Sequence, residues 1–489
     1  MRKSFSNQGR LDCQSVENVK LNLGCRDELI PILAALQHIY SQPKLRDGIL
    51  DLVRQDVNQQ TRDDRGRQGM DYWQILVLAA IRLGCGLNYD KLQDLAEQHR
   101  ALRQVMGVGD WEEEIDFNWR RIRDNVCLLE PTTTEWISQL IVGEGHRLEP
   151  EAPKKVRADS FVAETNIHYP TESSLILDGV RKVIELCVLL CGTSDENGWR
   201  QHAHLLKKIK QTARQISRIA SRKGPNYKER LKKEYRKLLR RTDKILRRAR
   251  NTCETLKTCS VLDVVTRAKI AELEVFIERT EHVCGTARRR VLEGEVVPNE
   301  EKLFSIFEPH TQLYKRGKVG QPVQFGRLVM VYEDDAGFII HHYILPRDAQ
   351  DRDVLIEQTR AVQDRLEGRI QEASFDRGFH SPENQRRLAD IIAHPCLPKP
   401  GARQAEAQQK TAGIKFHQAR RRHAGVESAI GALQHGNALA RCRDRTEFGF
   451  ERYVALGVLG RNLHTLGKLL IARQDACCEA AHSCRKMAA

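Results

Sequence analysis

The chain has 489 residues, 40% of them hydrophobic and 30% charged, with a formal net charge of +15 and a pI of about 9.2. That length exceeds a single small core and predicts roughly two to four domains. The charge points to a polyanionic partner, because each neutralised phosphate releases condensed counterions. The 14 cysteines are scattered and contain no CxxC pair, which argues against a zinc site and a disulfide framework. No apolar stretch approaches the ~20 residues of a membrane span. MRKSFSNQGRLDCQSVENVKLNLG at the start lacks an apolar signal core. A soluble intracellular protein is expected.

Residues 1–25 are polar and read as a flexible N-terminus. Residues 26–150 read as an all-helical domain. Ile30, Leu33, Leu36 and Ile39 recur at helical spacing, as do Leu45, Ile49, Leu52 and Val53. Helices follow over 72–83, over 89–98 and around Trp119–Leu129, and another starts at Thr132–Thr134. Short helices joined by glycine turns could hold a helix-turn-helix for DNA; a plain bundle fits the same pattern.

Residues 151–195 open with a Pro, Lys and Glu linker, then a short strand over Val156–Val162 carrying Asp159, then a helix to Cys191. Residues 196–302 form a helical insertion. Within it, positions 200–250 hold 20 Lys or Arg against three acids. Leu205, Ile209, Ala213, Ile216 and Ile219 form one apolar stripe, and Leu231, Tyr235, Leu238, Ile245 and Ala249 a second, with Gly224-Pro225-Asn226 between. The pattern predicts an antiparallel hairpin, apolar inside and cationic outside. Mixed-sign faces are the ordinary case on solvated helices. With so few acids, the reading is a phosphate-backbone contact, centred on Lys232, Lys233, Arg236 and Arg240.

From 303 to 470 the periodicity changes. A strand is expected over Phe304–Thr311, then a basic glycine loop at Lys315-Arg316-Gly317-Lys318. A hairpin of strands follows over Gln324–Tyr332 and Phe338–Leu345. A helix over Val354–Leu366 and a strand over Ile370–Phe375 lead to Asp376. Ser381-Pro382-Glu383 starts another helix. A strand over Ile391–Leu397, a polar loop to Gly413 and a long helix from Phe416 past Glu427 complete the region. Residues 471–489 are a C-terminal tail.

Setting aside the helical stretch 174–302, the order is strand, two-stranded hairpin, helix, strand, helix, strand, helix. That is the order of an RNase H-like core, an α/β fold with a mixed five-stranded sheet and flanking helices. In it the first and fourth strands are neighbours, so Asp159 and Asp376 would meet although they are 217 positions apart. Phosphodiester chemistry uses two Mg²⁺ ions about 3.5–4 Å apart, held by carboxylates and water. Asp159, Asp376 and Glu427 are the candidate catalytic and metal-binding residues, with Mn²⁺ able to replace Mg²⁺. Lys315, Arg316, Lys318 and Arg377 are expected along the DNA channel. Each acid also has a plain reading, as a turn Asp or a solvated helix Glu.

The segments DSFVAETNIHYPTES, IFEPHTQLYKRGKVGQPVQFG, FDRGFHSPEN, HAGVESAIGALQHG and GFERYVALGVLGRNL resemble bacterial insertion-sequence transposases of the DDE superfamily. The likeness is to the group filed as not classified yet, related to the insertion-sequence 4 and 5 assemblage, and it spans essentially the whole chain. It implies Asp159, Asp376 and Glu427 as the triad, Mg²⁺ dependence and an RNase H-like core. Its implied substrates are double-stranded terminal repeats and target DNA, joined by an oligomer of two or more copies on paired ends in a bacterial cytoplasm, at the nucleoid. An RNase H-like nuclease without strand transfer, a catalytically silent repressor and a basic architectural protein are the competing readings.

Overall fold

The computed structural model describes residues 11–58, 69–109, 111, 117–193, 199–258, 263–315 and 322–487. The chain is mixed α/β and 65% helical, with a curled mixed sheet. It divides into two compact units, 1–166 with 327–489, and 167–326.

The first unit begins with seven helices: α1 (Leu29–Ser41), α2 (Pro43–Asn58), α3 (Tyr72–Gly84), α4 (Tyr89–Gln98), α5 (Arg100–Val105), α6 (Trp119–Val126) and α7 (Pro131–Leu148). Their starts are chemically marked. Asp71 caps α3 by accepting from the Gln74 amide, Asn88 caps α4 through Lys91, and Pro131 opens α7. Between α3 and α4 the backbone turns at Gly86, whose φ is +64°.

Strand β1 (Lys155–Glu164) follows, and the chain then enters the second unit. That unit is built from α8 (Glu172–Thr193), α9 (His202–Arg222), α10 (Tyr227–Lys257) and α11 (Val264–Ala287), then a π-helical turn Arg288–Glu293 and strand β2 (Gln312–Tyr314). The four helices close around one apolar core that includes Val180, Ile184, Ile216, Leu238, Ile245 and Leu273. A strand was expected over Phe304–Thr311. That stretch is bends and turns, with Phe304 and Tyr169 both packed on Phe325 instead.

Strand β3 (Gln324–Asp334) starts in the second unit, where Gln324–Gly326 pair antiparallel with β2, and runs on into the first. The rest of the first unit is β4 (Ile339–Ile344), α12 (Asp351–Arg365), β5 (Glu372–Phe375), α13 (Pro382–Ala389), β6 (His394–Cys396), α14 (Ala402–Thr411), α15 (Ile414–His423), α16 (Gly425–Gly431), a π turn Ala432–Gly436 and α17 (Glu447–Met487). β3 neighbours β1 and pairs antiparallel with β4, and β1 pairs in parallel with β5, which pairs in parallel with β6. β3 is buried nearly end to end, with an apolar run Leu328–Tyr332 at its centre.

The compact units change over at 166/167 and 326/327. Helix α17 packs along α1, α3 and α7, so the N-terminal helices share a core with the C-terminal helix. This needs glycine. A methyl group on Gly467 would lie 1.7 Å from the Pro31 carbonyl oxygen, and one on Gly460 would lie 2.6 Å from the Gly84 backbone. Buried Arg82 joins the same body. It meets Asp444 at 2.5 and 3.1 Å and lies 4.0 Å from the Tyr89 ring centre. The expected C-terminal tail is the end of α17, and the expected polar loop before Gly413 contains α14.

Candidate active site

β1 and β5 fix the first two acids through their register. Ala158 is the partner of Phe375, so Asp159 and Asp376 each follow a paired residue at the same end of two parallel strands. Neighbouring strands lie about 4.8 Å apart, which places the two residues side by side. The Asp159 carboxylate accepts from the Ser160 amide at 2.7 Å. Asp376 is exposed and stands, in extended conformation, just before the short 3₁₀ turn Arg377–Phe379, its side chain making no capping bond there.

Glu427 arrives on α16, which packs on β1, while α15 packs on β5 and β6. The expected single helix through this region is broken at Ala424–Gly425. Arg157 lies at this junction. Its guanidinium donates to Glu333 at 2.5 Å and to the Arg422 carbonyl at 3.2 Å. It also fills the space where a side chain at 425 would sit: a methyl group there would lie 2.2 Å from Arg157 Nη1. Burial raises the Glu333 carboxyl above its ordinary range, and Arg157 opposes that shift. Arg157 stands two residues before Asp159, on the same face of β1.

His423 ties the face together. Its Nδ1 is 3.3 Å from Ser374 Oγ. Burial lowers its pKa, while Asp376, and more weakly Glu427, pull it back up. Its field therefore senses two of the three acids. It also lines a cleft of about 340 Å³ with Phe375, Asp376, Arg377, Cys396, Pro398, Arg420 and Ala424. Burial pushes the Cys396 thiol up to about 12, so it is an inert wall. A further carboxylate is close. A methyl group on Gly378 would lie 4.0 Å from both Asp376 Oδ2 and Asp351 Oδ2.

The structure thus brings Asp159 and Asp376 together and sets Glu427 on a helix against β1. Among the described residues, no group of three or more His, Cys, Asp or Glu side chains is close enough to hold a metal ion. The donor chemistry is nevertheless that of a hard cation: exposed or half-exposed carboxylate oxygens at one sheet end. Arg377 is exposed at the cleft. Lys315 is exposed after β2, and Arg316 and Lys318 lie outside the described residues. Lys233, Arg236 and Arg240 are exposed on α10, whereas Lys232 is half-buried with Glu229 at 4.0 Å.

Sequence reasoning reaches His423, one helical turn before Glu427, and passes over Arg157, Arg420 and Asp351. Arg157 carried a signal: it shares the strand face of Asp159 by period two. Compared with protein-family models, with curated proteins and with solved structures, the chain has no match.

Proposed function

We propose that the chain is a DNA transposase that cleaves at terminal inverted repeats and joins the freed 3′-OH ends to target DNA, with Asp159, Asp376 and Glu427 as its acidic triad. One observation carries the reading. Two acids 217 positions apart in sequence stand at matched ends of adjacent parallel strands, under the helix that bears the third. The pairing of β4 with β3, the β3–β1 neighbourhood and the parallel β1–β5–β6 series support an RNase H-like core. So do the motif segments around each acid.

Asp159 and Asp376 would hold the divalent ion from the sheet, and Glu427 would complete the set as DNA enters. Mg²⁺ or Mn²⁺, when bound, would neutralise phosphate charge and activate the attacking oxygen. Arg377 and Arg420 at the cleft suit a neighbouring phosphate. Lys315, Arg316 and Lys318, with Lys232, Lys233, Arg236 and Arg240, would add backbone contacts. Work on paired ends calls for two or more copies of the chain, at the bacterial nucleoid. No helix among the described residues is long and apolar enough to cross a membrane.

The test uses DNA bearing the terminal repeats that flank the coding sequence, with Mg²⁺. Wild type is expected to cleave at the repeat ends, and Asp376→Asn to bind without cleaving. Equal cleavage by both would remove Asp376 from the site and overturn the proposal. Cleavage without joining of 3′ ends to a second DNA would favour the nuclease reading.

A further inference from the structure

The second unit is strongly polarised among its own helices. α8 carries two basic residues against three acidic, and α11 three against four. Those are ordinary solvated faces, and their charges pair, as in Lys182 with Glu272 and Lys269 with Glu272. α9 carries six basic residues and no acid. α10 carries 13 basic residues against four acidic.

On α9 the cations fall into register. Lys207, Lys210, Arg214, Arg218 and Arg222 recur every three or four residues, and all five are exposed. Ile209, Thr212, Ala213, Ile216 and Ile219 are buried on the opposite side. The five cations therefore form one ridge, about 22 Å long at 1.5 Å per residue. α10 repeats the device: Lys233, Arg236, Arg240 and Lys244 are exposed, opposite buried Tyr235, Leu238, Thr242, Ile245 and Ala249. Packing of the core does not require this arrangement. Like charges one turn apart repel and destabilise an isolated helix.

We infer that the cationic ridge of α9, with the matching face of α10, is a docking surface for the phosphate backbone of duplex DNA, read without regard to base sequence. Charge complementarity selects the partner. Duplex phosphates recur every 3.4 Å along each strand, so a ridge of about 22 Å faces roughly six phosphates of one strand. The chemistry excludes two other polyanions. No large apolar residue is exposed anywhere among the described residues of 200–258, so the surface lacks the apolar face of a membrane-seated helix. For the same reason it offers no exposed aromatic platform for unstacked bases of a single strand. The inference rests on the DNA reading proposed above, extending its α10 contacts to the α9 ridge, and is independent of the acidic triad, since it concerns binding alone.

The experiment measures anisotropy of a labelled duplex of arbitrary sequence, about 30 base pairs long, with the full chain in EDTA, so that no cleavage intervenes. The slope of log K against log salt is compared between wild type and a variant with Lys207, Lys210, Arg214, Arg218 and Arg222 all changed to Gln. Glutamine keeps helix propensity, and circular dichroism checks the fold. Five lost phosphate contacts lower the slope by up to about 4.5 and the affinity at low salt by at least about 100-fold. A control changes Arg181, Lys182, Arg267 and Lys269 to Gln, and its slope should move by less than about 1. An unchanged slope in the ridge variant overturns the inference, as does an equal fall in the control. So does a ridge variant that loses only single-stranded RNA or phosphatidylserine vesicles. Should the five-fold variant misfold, Arg214→Gln with Arg218→Gln is expected to lower the slope by up to about 1.8, and no change there overturns it equally.

Discussion

The two compact units carry charge in opposite ways. In the first, acids far apart in sequence become neighbours because β1 and β5 run in parallel register. In the second, cations close in sequence share a face because a helix repeats every 3.6 residues. One arrangement depends on the whole sheet; the other depends on one or two helices. A site made by tertiary register should fail at a single atom, whereas a face made by local repetition should weaken in steps.

The largest expected effect tests the first half of that contrast. Asp159→Asn replaces one carboxylate oxygen by an amide NH₂ and keeps side-chain volume. Cleavage of terminal-repeat DNA should fall by at least about 10³-fold, as when a group matched to developing charge is removed. DNA binding should remain within about twofold, because the basic faces are untouched. A loss of binding equal to the loss of cleavage would make Asp159 a structural residue.

Stability of the first unit rests on close helix crossings, and the next effect is there. Gly467→Ala drives a methyl group into the Pro31 carbonyl, where only backbone can yield. We expect about 3 kcal/mol of destabilisation, read from a urea midpoint at unchanged m-value. Gly425→Ala meets only the guanidinium end of Arg157, which can swing. It should cost less stability and act on cleavage instead, by releasing the clamp between Glu333 and the Arg422 carbonyl. If Gly467→Ala is neutral, the N-terminal helices are not held by α17 as described.

Much of this was legible beforehand, and the remainder shows what a sequence hides. Asp159 and Asp376 were readable because each ends or interrupts a short apolar run, and Ser381-Pro382 gave the start of α13 through its own cap: Ser381 accepts from the Asn384 amide. The contact of Gly425 with Arg157 was not readable, because Arg157 lies on another element. The apolar run at Phe304–Thr311 looked like a strand, but its residues find side-chain partners such as Phe325 and Phe276 rather than a ladder. Nothing local in the sequence of α17 says that it docks on helices some 400 residues earlier.

Acid should expose a further difference. Burial pushes His341 down to about 4, with its Nε2 held 2.9 Å from Gln358 Oε1 and with Arg365, His342 and Glu135 facing it. His464 on α17 is also pushed down to about 4 by burial, with Lys468 and Arg461 adding to the effect. Both lie in the first unit. Each folded-state pKa is below the ordinary value near 6.5, so the unfolded chain binds more protons in between. The stability these neutral histidines permit is present above about 6.5 and is lost as pH falls towards 4, at about 1.4 kcal/mol per group for each pH unit. Burial pushes neighbouring His342 down to about 4 as well, so urea midpoints between pH 7 and 5 should fall accordingly, and His341→Gln should remove roughly a third of that slope. A flat profile would mean that water reaches these rings.

The smallest effect bears on the second unit. Arg214→Gln removes one of five ridge cations and touches nothing in the core, since Arg214 is exposed on the side away from Ile216 and Ala213. Stability should change by less than about 0.5 kcal/mol, with relief of repulsion from Arg218 and Lys210 offsetting the lost stem contacts. The salt slope of duplex binding should drop by about 0.9, one phosphate's worth. Arg218→Gln should lower it by a similar amount, and the double variant by nearly the sum, because separate phosphate contacts along a ridge share no partner. Additivity is the decisive feature. A single variant that abolished binding would mean that one arginine makes a buried, geometry-dependent contact, and the second unit would then resemble the acidic site in kind. Equal small steps would establish the contrast between a face built by helical repetition and a site built by strand register.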